Sequence, residues 1–142
     1  MTSDQWVDIL EPKTLSDIVG QTELVNAFKE YVKTRYIPNM TISGMQGIGK
    51  TLLTRCFASD LGLCRFVDKN QIDLIPGQFF IFNASQSRGI DDVRTTMKRL
   101  ATKPIIGDMP RLIVLDEFNY TPEAQYAMRS LMETYSTNVR FI

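Results

Sequence analysis

The stretch GMQGIGKT, residues 44–51, decides the fold of this 142-residue chain. It matches the pattern G-x-x-x-x-G-K-[ST] and lies between a predicted short strand and a predicted helix, as a phosphate-binding loop does. Glycines let the backbone bend around phosphate oxygens, and the helix that follows adds its positive N-terminal end. Lys50 is predicted to reach the β- and γ-phosphates, and the Thr51 hydroxyl to ligate Mg²⁺. We therefore expect a nucleotide site on a strand–loop–helix unit.

Apolar strands and helical patterns alternate along the rest of the chain. The predicted elements are a helix at 22–36, a strand at 39–43, a helix at 50–62, an irregular connection at 63–77, a strand at 78–84 buried on both faces, a helix from Ile90 through Leu100, a strand at 111–116, a helix opened by Thr121 and Pro122, and a strand beginning at 139. This alternation is typical of a parallel sheet covered by helices on both sides. The sequence predicts a single α/β domain.

Composition excludes several classes of protein. Lys+Arg and Asp+Glu number 16 each, so anion binding must come from local placement of charge. There is no histidine, and two cysteines fit neither a disulfide framework nor a metal-ligand spacing. No apolar run approaches the ~20 residues that span a bilayer. With no secretory leader, these features predict reduced thiols in an intracellular protein, in the cytoplasm or, in a eukaryote, the nucleus.

Two adjacent carboxylates end the apolar run at 111–116. Open α/β sheets bind ligands at the carboxyl ends of their strands. Asp116 is predicted to hold Mg²⁺ there, and Glu117 to polarise the attacking water as a general base. Together with the phosphate loop, the pair predicts an ATPase site.

Longer segments resemble one family. FNASQSRGIDDVR (82–94) is similar to a segment of the small subunits of replication factor C, the AAA+ sliding-clamp loader, and residues 115–142 resemble that family's Walker B region and the helix and strand after it. WVDILEPKTLSDIVGQ (6–21) resembles the family's opening, which packs on adenine. The resemblance implies a P-loop AAA+ core with ATP and Mg²⁺ as ligands. It assigns nucleotide contacts to Pro12, Val19, Gly44, Met45, Gln46, Gly47, Ile48, Gly49, Lys50, Thr51 and Leu52. Glu11 departs from the family, which usually has arginine there.

The resemblance also implies DNA contacts. In clamp loaders the helix that begins after the second strand faces the bore of the assembly, where duplex DNA lies. Arg88, Arg94 and Lys98 would then contact phosphates, with Arg129 on the next helix as a further candidate. The alternative from local chemistry is a helix start that Asp91 and Asp92 stabilise against the helix dipole.

Asn83 and the Ile105-Ile106 pair have open interpretations. Asn83 lies where AAA+ proteins often keep a polar residue that holds the catalytic glutamate away until substrate arrives, or it merely ends a strand. Ile105 and Ile106, on a turn-rich connection, are either tucked into the core or exposed as an anchor for the sliding clamp.

The resemblance predicts that residues 1–142 are the N-terminal part of an AAA+ ATPase domain, truncated before the fifth strand and lid, with lid and collar domains absent. The implied function is the ATP-binding subunit of a clamp loader, whose partners are the other subunits of a hetero-pentamer, the sliding clamp and primer–template DNA. The alternatives are a non-hydrolysing nucleotide-binding module and another AAA+ replication or recombination ATPase, such as a helicase loader or a branch-migration motor.

Overall fold

The computed structural model describes residues 10–68, 71–74, 78–84, 90–118 and 122–142. Its regular elements are a 3₁₀ turn at Leu15–Asp17, helices α1 (Thr22–Thr34) and α2 (Lys50–Asp60), strands β1 (Cys64–Asp68), β2 (Gln71–Leu74) and β3 (Phe79–Asn83), helix α3 (Ile90–Ala101), strand β4 (Arg111–Asp116), helix α4 (Pro122–Thr134) and strand β5 (Val139–Phe141). Contacts divide these elements into two compact units. The first takes in the described residues up to Tyr36 and from Ser43 to Leu74, and the second takes in Ile37–Ile42 and the described residues from Gln78 onward.

The first unit is built around α1 and α2. Helix α2 buries Leu53 and Phe57, and Leu61, which caps its C-terminal end, is buried as well. Phe57 meets Phe28 of α1 edge to face, with ring centroids 4.8 Å apart. On α1 only Val25 and Phe28 are buried, so its buried face is narrow.

The interpretation of residues 63–77 as an irregular connection was wrong. β1 and β2 pair antiparallel, with Cys64 opposite Leu74 and a register shift between Phe66 and Asp68. The four-residue length of β2 and the breaker pair Pro76-Gly77 hide this short ladder from a search for longer apolar runs.

The second unit contains a parallel sheet in the order β3-β4-β5. Helices α3 and α4 pack on it and bury a core of apolar side chains: Val93, Met97, Leu100, Ala101, Ile113, Met128, Leu131, Val139 and Phe141. A parallel sheet flanked by helices is the predicted α/β class, and it is consistent with a P-loop AAA+ core.

Strand β3 differs from its prediction. Only Phe79 is buried, while Phe80 to Asn83 are half-buried. Within the described residues β3 pairs with β4 alone, so it is an edge strand there.

Residues 39–43 do not form the predicted strand, although the chain runs beside β5. The Met40 amide donates to the Phe141 carbonyl over 3.1 Å, but the Phe141 amide donates to the side-chain oxygen of Asn39. Pro38 has no N–H group, and a side chain substitutes for one backbone acceptor, so no regular ladder forms. The segment nevertheless lies beside β5, which pairs with β4 on its other side.

Both cysteines are buried free thiols in the first unit. Burial raises the pKa of Cys56 to about 12 and that of Cys64 to about 11, from an ordinary value of 9.0. The folded chain therefore keeps two protons that the unfolded chain releases above about pH 9.

We expect the free energy of unfolding to fall as the pH rises from about 9 to about 11, because the unfolded state is the one that ionises in this window. Urea denaturation at stepped pH measures the effect. The Cys56→Ala variant should lose stability less steeply over the same window, and an equal slope in both proteins would contradict the prediction.

Candidate functional site

The predicted phosphate loop, residues 44–51, leads directly into α2. Gly47 and Gly49 have φ angles of +81° and +90°, a region that glycine adopts without strain, and the space where a Cβ would stand is open at both. Gly49 caps α2, and its carbonyl accepts the Leu53 amide over 2.9 Å. The Lys50 ammonium donates to the carbonyls of Gly44 at 2.9 Å and Met45 at 2.7 Å. The Lys50 ammonium thus lies against the loop backbone at the start of a helix, which is a favourable place for an anionic phosphate chain.

The segment that carries Pro12 and Val19 is attached to α2 in the same unit. The Cys56 thiol donates to the Pro12 carbonyl over 3.4 Å, and the Leu15 amide donates to Asp60 over 3.0 Å. Val19 is 97% exposed, so its side chain is free to pack on a flat ligand.

Two carboxylates, Asp17 and Glu11, make further contacts that stabilise this segment. The Thr14 hydroxyl and the backbone amides of Thr14 and Lys13 donate to Asp17 and lower its pKa. Glu11, which departs from the family pattern, lies 4.0 Å from the Arg55 guanidinium. Its charge thus has a counter-ion on α2.

The carboxylates lie at the end of β4 in the second unit. The parallel register pairs Asn83 of β3 with Asp116 of β4, so the residue after Asp116 comes within reach of the asparagine. The Asn83 amide group donates to Glu117 Oε2 over 3.3 Å. Asp116 Oδ1 in turn accepts the Glu117 backbone amide over 3.0 Å. The sheet register therefore brings the three predicted side chains together.

Glu117 has a strained backbone. Its φ is +52°, in the left-handed region that non-glycine residues rarely adopt. Such strain costs on the order of 1–3 kcal/mol and is found where a turn must aim a functional side chain. The Glu117 side chain is exposed, whereas Asp116 is half-buried. This arrangement can present one carboxylate to solvent while the other stays close to the sheet.

The predicted DNA contacts lie on the solvent faces of two helices. Arg94 and Lys98 are exposed one turn apart on α3, and Arg129 is exposed on α4. Arg94 also pairs with Asp91 at 3.6 Å, an exposed ion pair of the kind that is worth little in water. Arg88 lies outside the described residues, as do Trp6 and Thr121.

Sequence reasoning missed the two side chains that hold the connection between α3 and β4. Arg111 is fully buried, and its guanidinium donates to four backbone carbonyls, those of Leu100, Ala101, Lys103 and Pro104. Burial lowers the pKa of Arg111, although the ordinary pKa of arginine is so high that the group stays charged.

Gln78, also buried, donates from its amide to the Ile106 carbonyl. The connection places Ile105 half-buried and Ile106 exposed, so the two isoleucines have different environments. The sequence carried no signal for this arrangement, because a charged residue at the start of an apolar strand is usually solvated.

Two kinds of feature are absent from the described residues. No helix in those ranges is long and apolar enough to cross a membrane. Nor do they contain a cluster of three or more His, Cys, Asp or Glu side chains that could hold a metal ion.

The chain is similar to replication factor C small subunits from several organisms. The chain is 40% identical over 144 residues to the replication factor C small subunit of Thermofilum pendens. That alignment covers all of this chain and 42% of the relative. It is 37% identical to that of Saccharolobus solfataricus and 40% identical to that of Archaeoglobus fulgidus, in each case over 139 residues and 96% of this chain. These alignments cover 39% and 41% of the two relatives, so the chain spans about two fifths of their length. No family model matches it.

Proposed function

Because this chain is replication factor C small subunit-like along its whole length, we propose that it forms the N-terminal part of the AAA+ ATPase domain of a sliding-clamp loader subunit. The subunit would couple ATP binding and hydrolysis to opening the clamp and loading it on primer–template DNA. Its partners would be the other subunits of a hetero-pentamer, the clamp and the DNA, at the replication fork in cytoplasm or nucleus. The observation that best supports ATP hydrolysis is the hydrogen bond that Asn83 donates to Glu117, just after the end of β4.

The first unit supplies the nucleotide-binding residues in this proposal. Backbone amides of residues 44–52 would surround the phosphates, and Lys50 would exchange its two carbonyl partners for phosphate oxygens. Pro12 and the exposed Val19 would pack against adenine. The sites of ATP and Mg²⁺ are inferred from these residue types, with Thr51 and Asp116 as the metal ligands. Bound Mg²⁺ would neutralise part of the negative charge of the phosphates.

The second unit supplies the base. Glu117 is exposed and ready to accept a proton from water, which is the general-base role. Its hydrogen bond to Asn83 competes with that role, because a carboxylate that accepts an amide proton is less available to an attacking water. Asn83 would therefore keep turnover low until DNA reaches α3.

DNA binding would use the helix surfaces of the same unit. Arg94, Lys98 and Arg129, with Arg88, would contact the phosphate backbone, which gives affinity without reading sequence. The Arg94–Asp91 pair is exposed enough to open when a phosphate approaches. A pentamer sums such contacts over several subunits, so the neutral total charge of one chain is compatible with binding.

ATP turnover by the assembled loader tests the proposal. The complete subunit is combined with its partner subunits, and hydrolysis is measured alone, with clamp, and with clamp plus primer–template DNA. Stimulation by both additions supports the clamp-loader reading. Tight nucleotide binding with no turnover under any condition identifies a non-hydrolysing binding module instead, and stimulation by DNA with no response to any clamp points to another AAA+ ATPase.

Replacing Asn83 tests its restraining role. The Asn83→Ala variant should raise the DNA-independent ATPase rate several-fold and leave the DNA-stimulated rate nearly unchanged, because Glu117 loses the partner that competes with water. Steady-state phosphate release with and without DNA measures the ratio. If both rates fall together, Asn83 supports the active geometry rather than restraining it, and an unchanged ratio would make it a strand end only.

A further inference from the structure

Residues 11–15, here the 11–15 segment, run along α2 in a fixed register. Three contacts each join a residue of the segment to a helix residue 44 or 45 positions later: Glu11 to Arg55, Pro12 to Cys56 and Leu15 to Asp60. Because this separation is nearly constant, the segment and the helix run in the same direction. The segment therefore cannot slide along α2 without breaking all three contacts.

The ion pair between Glu11 and Arg55 is the contact nearest the predicted phosphate loop. Helix α2 begins at Lys50, and an α-helix rises about 1.5 Å per residue, so Arg55 lies roughly 7.5 Å along the axis from that start. Asp60 lies about twice as far away on the same measure. The ion pair thus attaches the 11–15 segment to the part of α2 that continues directly from the loop.

Both side chains of this ion pair are largely withdrawn from solvent. The Glu11 side chain is 24% exposed and that of Arg55 is 32% exposed, whereas Glu30 and Lys33 of the ion pair on α1 are 66% and 76% exposed. Solvent screens partly buried charges less than exposed ones. Arg55 Nε is also buried, and it has no hydrogen-bond partner among the described residues, which increases the dependence of the guanidinium on its counter-ion.

A fixed turn carries this restraint onward to Val19. Asp17 accepts the backbone amides of Lys13 and Thr14 and the Thr14 hydroxyl, and its own amide donates to the Thr14 carbonyl over 3.1 Å. This turn ends two residues before Val19, whose side chain is exposed. The position of Val19 relative to the phosphate loop therefore depends on how the 11–15 segment is attached to α2.

Position 11 is also where this chain departs from the family that it resembles, which usually has arginine there. An arginine at position 11 would bring a second cation up to the Arg55 guanidinium, and like charges at that distance repel. The acidic residue at position 11 and the basic residue at position 55 are therefore complementary, and neither suits the chain without the other.

We propose that Glu11 and Arg55 are a pair of positioning residues for the nucleotide. Their ion pair sets the distance between the phosphate loop and the surface of Pro12 and Val19 that would receive the base. It should therefore govern affinity for the whole nucleotide while leaving affinity for a bare phosphate chain unchanged. This inference rests on the ATP site proposed above, and it assigns the residues that join the two halves of that site.

A charge-swap cycle on the complete subunit tests this role. The dissociation constant of ATP with Mg²⁺ is measured for wild type, Glu11→Arg, Arg55→Glu and the double variant. Each single reversal should weaken ATP binding about 10-fold, because it places two like charges together. This includes Glu11→Arg, which restores the residue that is usual in the family. The double variant has an opposite pair again, and its affinity should return to within about threefold of wild type.

Inorganic tripolyphosphate probes the phosphate half of the site alone. Its inhibition constant against ATP should stay within about twofold of wild type in all three variants, because it needs the loop and Lys50 but makes no base contact. Unfolding of α2 would weaken both ligands, since the loop leads into this helix. Glu30→Lys reverses one charge of the exposed ion pair on α1, and as the matched control it should change neither constant.

Neutral substitutions cover the case in which the charge reversals do not fold. Glu11→Gln and Arg55→Met each remove the ion pair without adding repulsion, and each should weaken ATP binding about threefold. The double neutral variant should be no weaker than either single variant, because the pair is already lost in both.

The positioning role would be overturned by a double swap as weak as the product of its two reversals, by single variants with wild-type ATP affinity, or by an equal loss of tripolyphosphate binding. A wild-type subunit that binds neither ATP nor tripolyphosphate would contradict the proposed nucleotide site itself. That outcome is distinguishable, because it appears before any variant is compared.

Discussion

Glu117→Gln should lower the ATP turnover of the assembled complex by about 10²- to 10⁴-fold, the usual contribution of a general base. Nucleotide affinity should stay within about twofold, because the substitution removes a charge but changes neither side-chain length nor the phosphate loop. Glutamine also keeps an oxygen that can accept the Asn83 amide, so the end of β4 should retain its geometry. Pre-steady-state phosphate release and a nucleotide-binding titration separate the two effects.

Glu123→Gln is the matched control for that change. Glu123 is an exposed acidic residue in the first turn of α4, and its neutralisation should leave turnover within about twofold of wild type. A fall of less than tenfold in Glu117→Gln would show that another group activates the water. A fall in both variants would point to net charge rather than to a base.

Phe57→Ala should destabilise the chain by about 3–5 kcal/mol, the range for deleting a fully buried aromatic side chain. The ring is fully buried, and its edge-to-face contact with Phe28 joins α2 to α1. Since domains have a total stability of about 5–15 kcal/mol, the first unit should unfold at much lower urea concentration. Urea denaturation followed by fluorescence and by far-ultraviolet circular dichroism measures the shift.

Tyr126→Ala is the aromatic control on α4. Tyr126 is 77% exposed, so its truncation should change the free energy of unfolding by no more than about 0.5 kcal/mol. A loss below about 1 kcal/mol in Phe57→Ala, with an unchanged dependence on urea, would mean that the α1–α2 contact contributes little. Two separate transitions would indicate that the two units unfold independently.

Helical elements could be predicted from the sequence more fully than strands. The stripe of Val93, Met97 and Leu100 predicts α3 because each of these side chains is buried at the spacing of helical turns. Strand prediction failed where pairing depends on distant partners. Residues 39–43 alternate polar and apolar residues as a strand does, but Pro38 and the Asn39 side chain decide which hydrogen bonds they make with β5. β1 and β2 pair with each other, and no local sequence pattern predicts that pairing.

The site was predictable where the residue type limits the chemistry. Asn83 at a strand end and Glu117 after a neighbouring strand are expected to meet, because parallel strands align their carboxyl ends, and their hydrogen bond is present. Their roles in turnover stay predictions. Arg111 could not be assigned from sequence, since a charged residue at the start of a strand is usually solvated. Its burial depends on how the chain after α3 returns to the sheet, which is a property of the tertiary structure.

The contacts of Ile37–Ile42 with β5 also set an order for folding during synthesis. The Arg140 side chain donates to the Ile37 carbonyl over 2.7 Å, across 103 positions of the chain, and the Met40 amide bonds to Phe141 over a similar span. A ribosome that adds about 5–20 residues per second must therefore run for several more seconds after residue 42 before its partners exist. The first unit needs no residue beyond Leu74 for the contacts within it. We infer that the first unit can fold before β5 has been synthesised. The slow step of folding is then the pairing of Ile37–Ile42 with β5, because it joins residues about 100 positions apart.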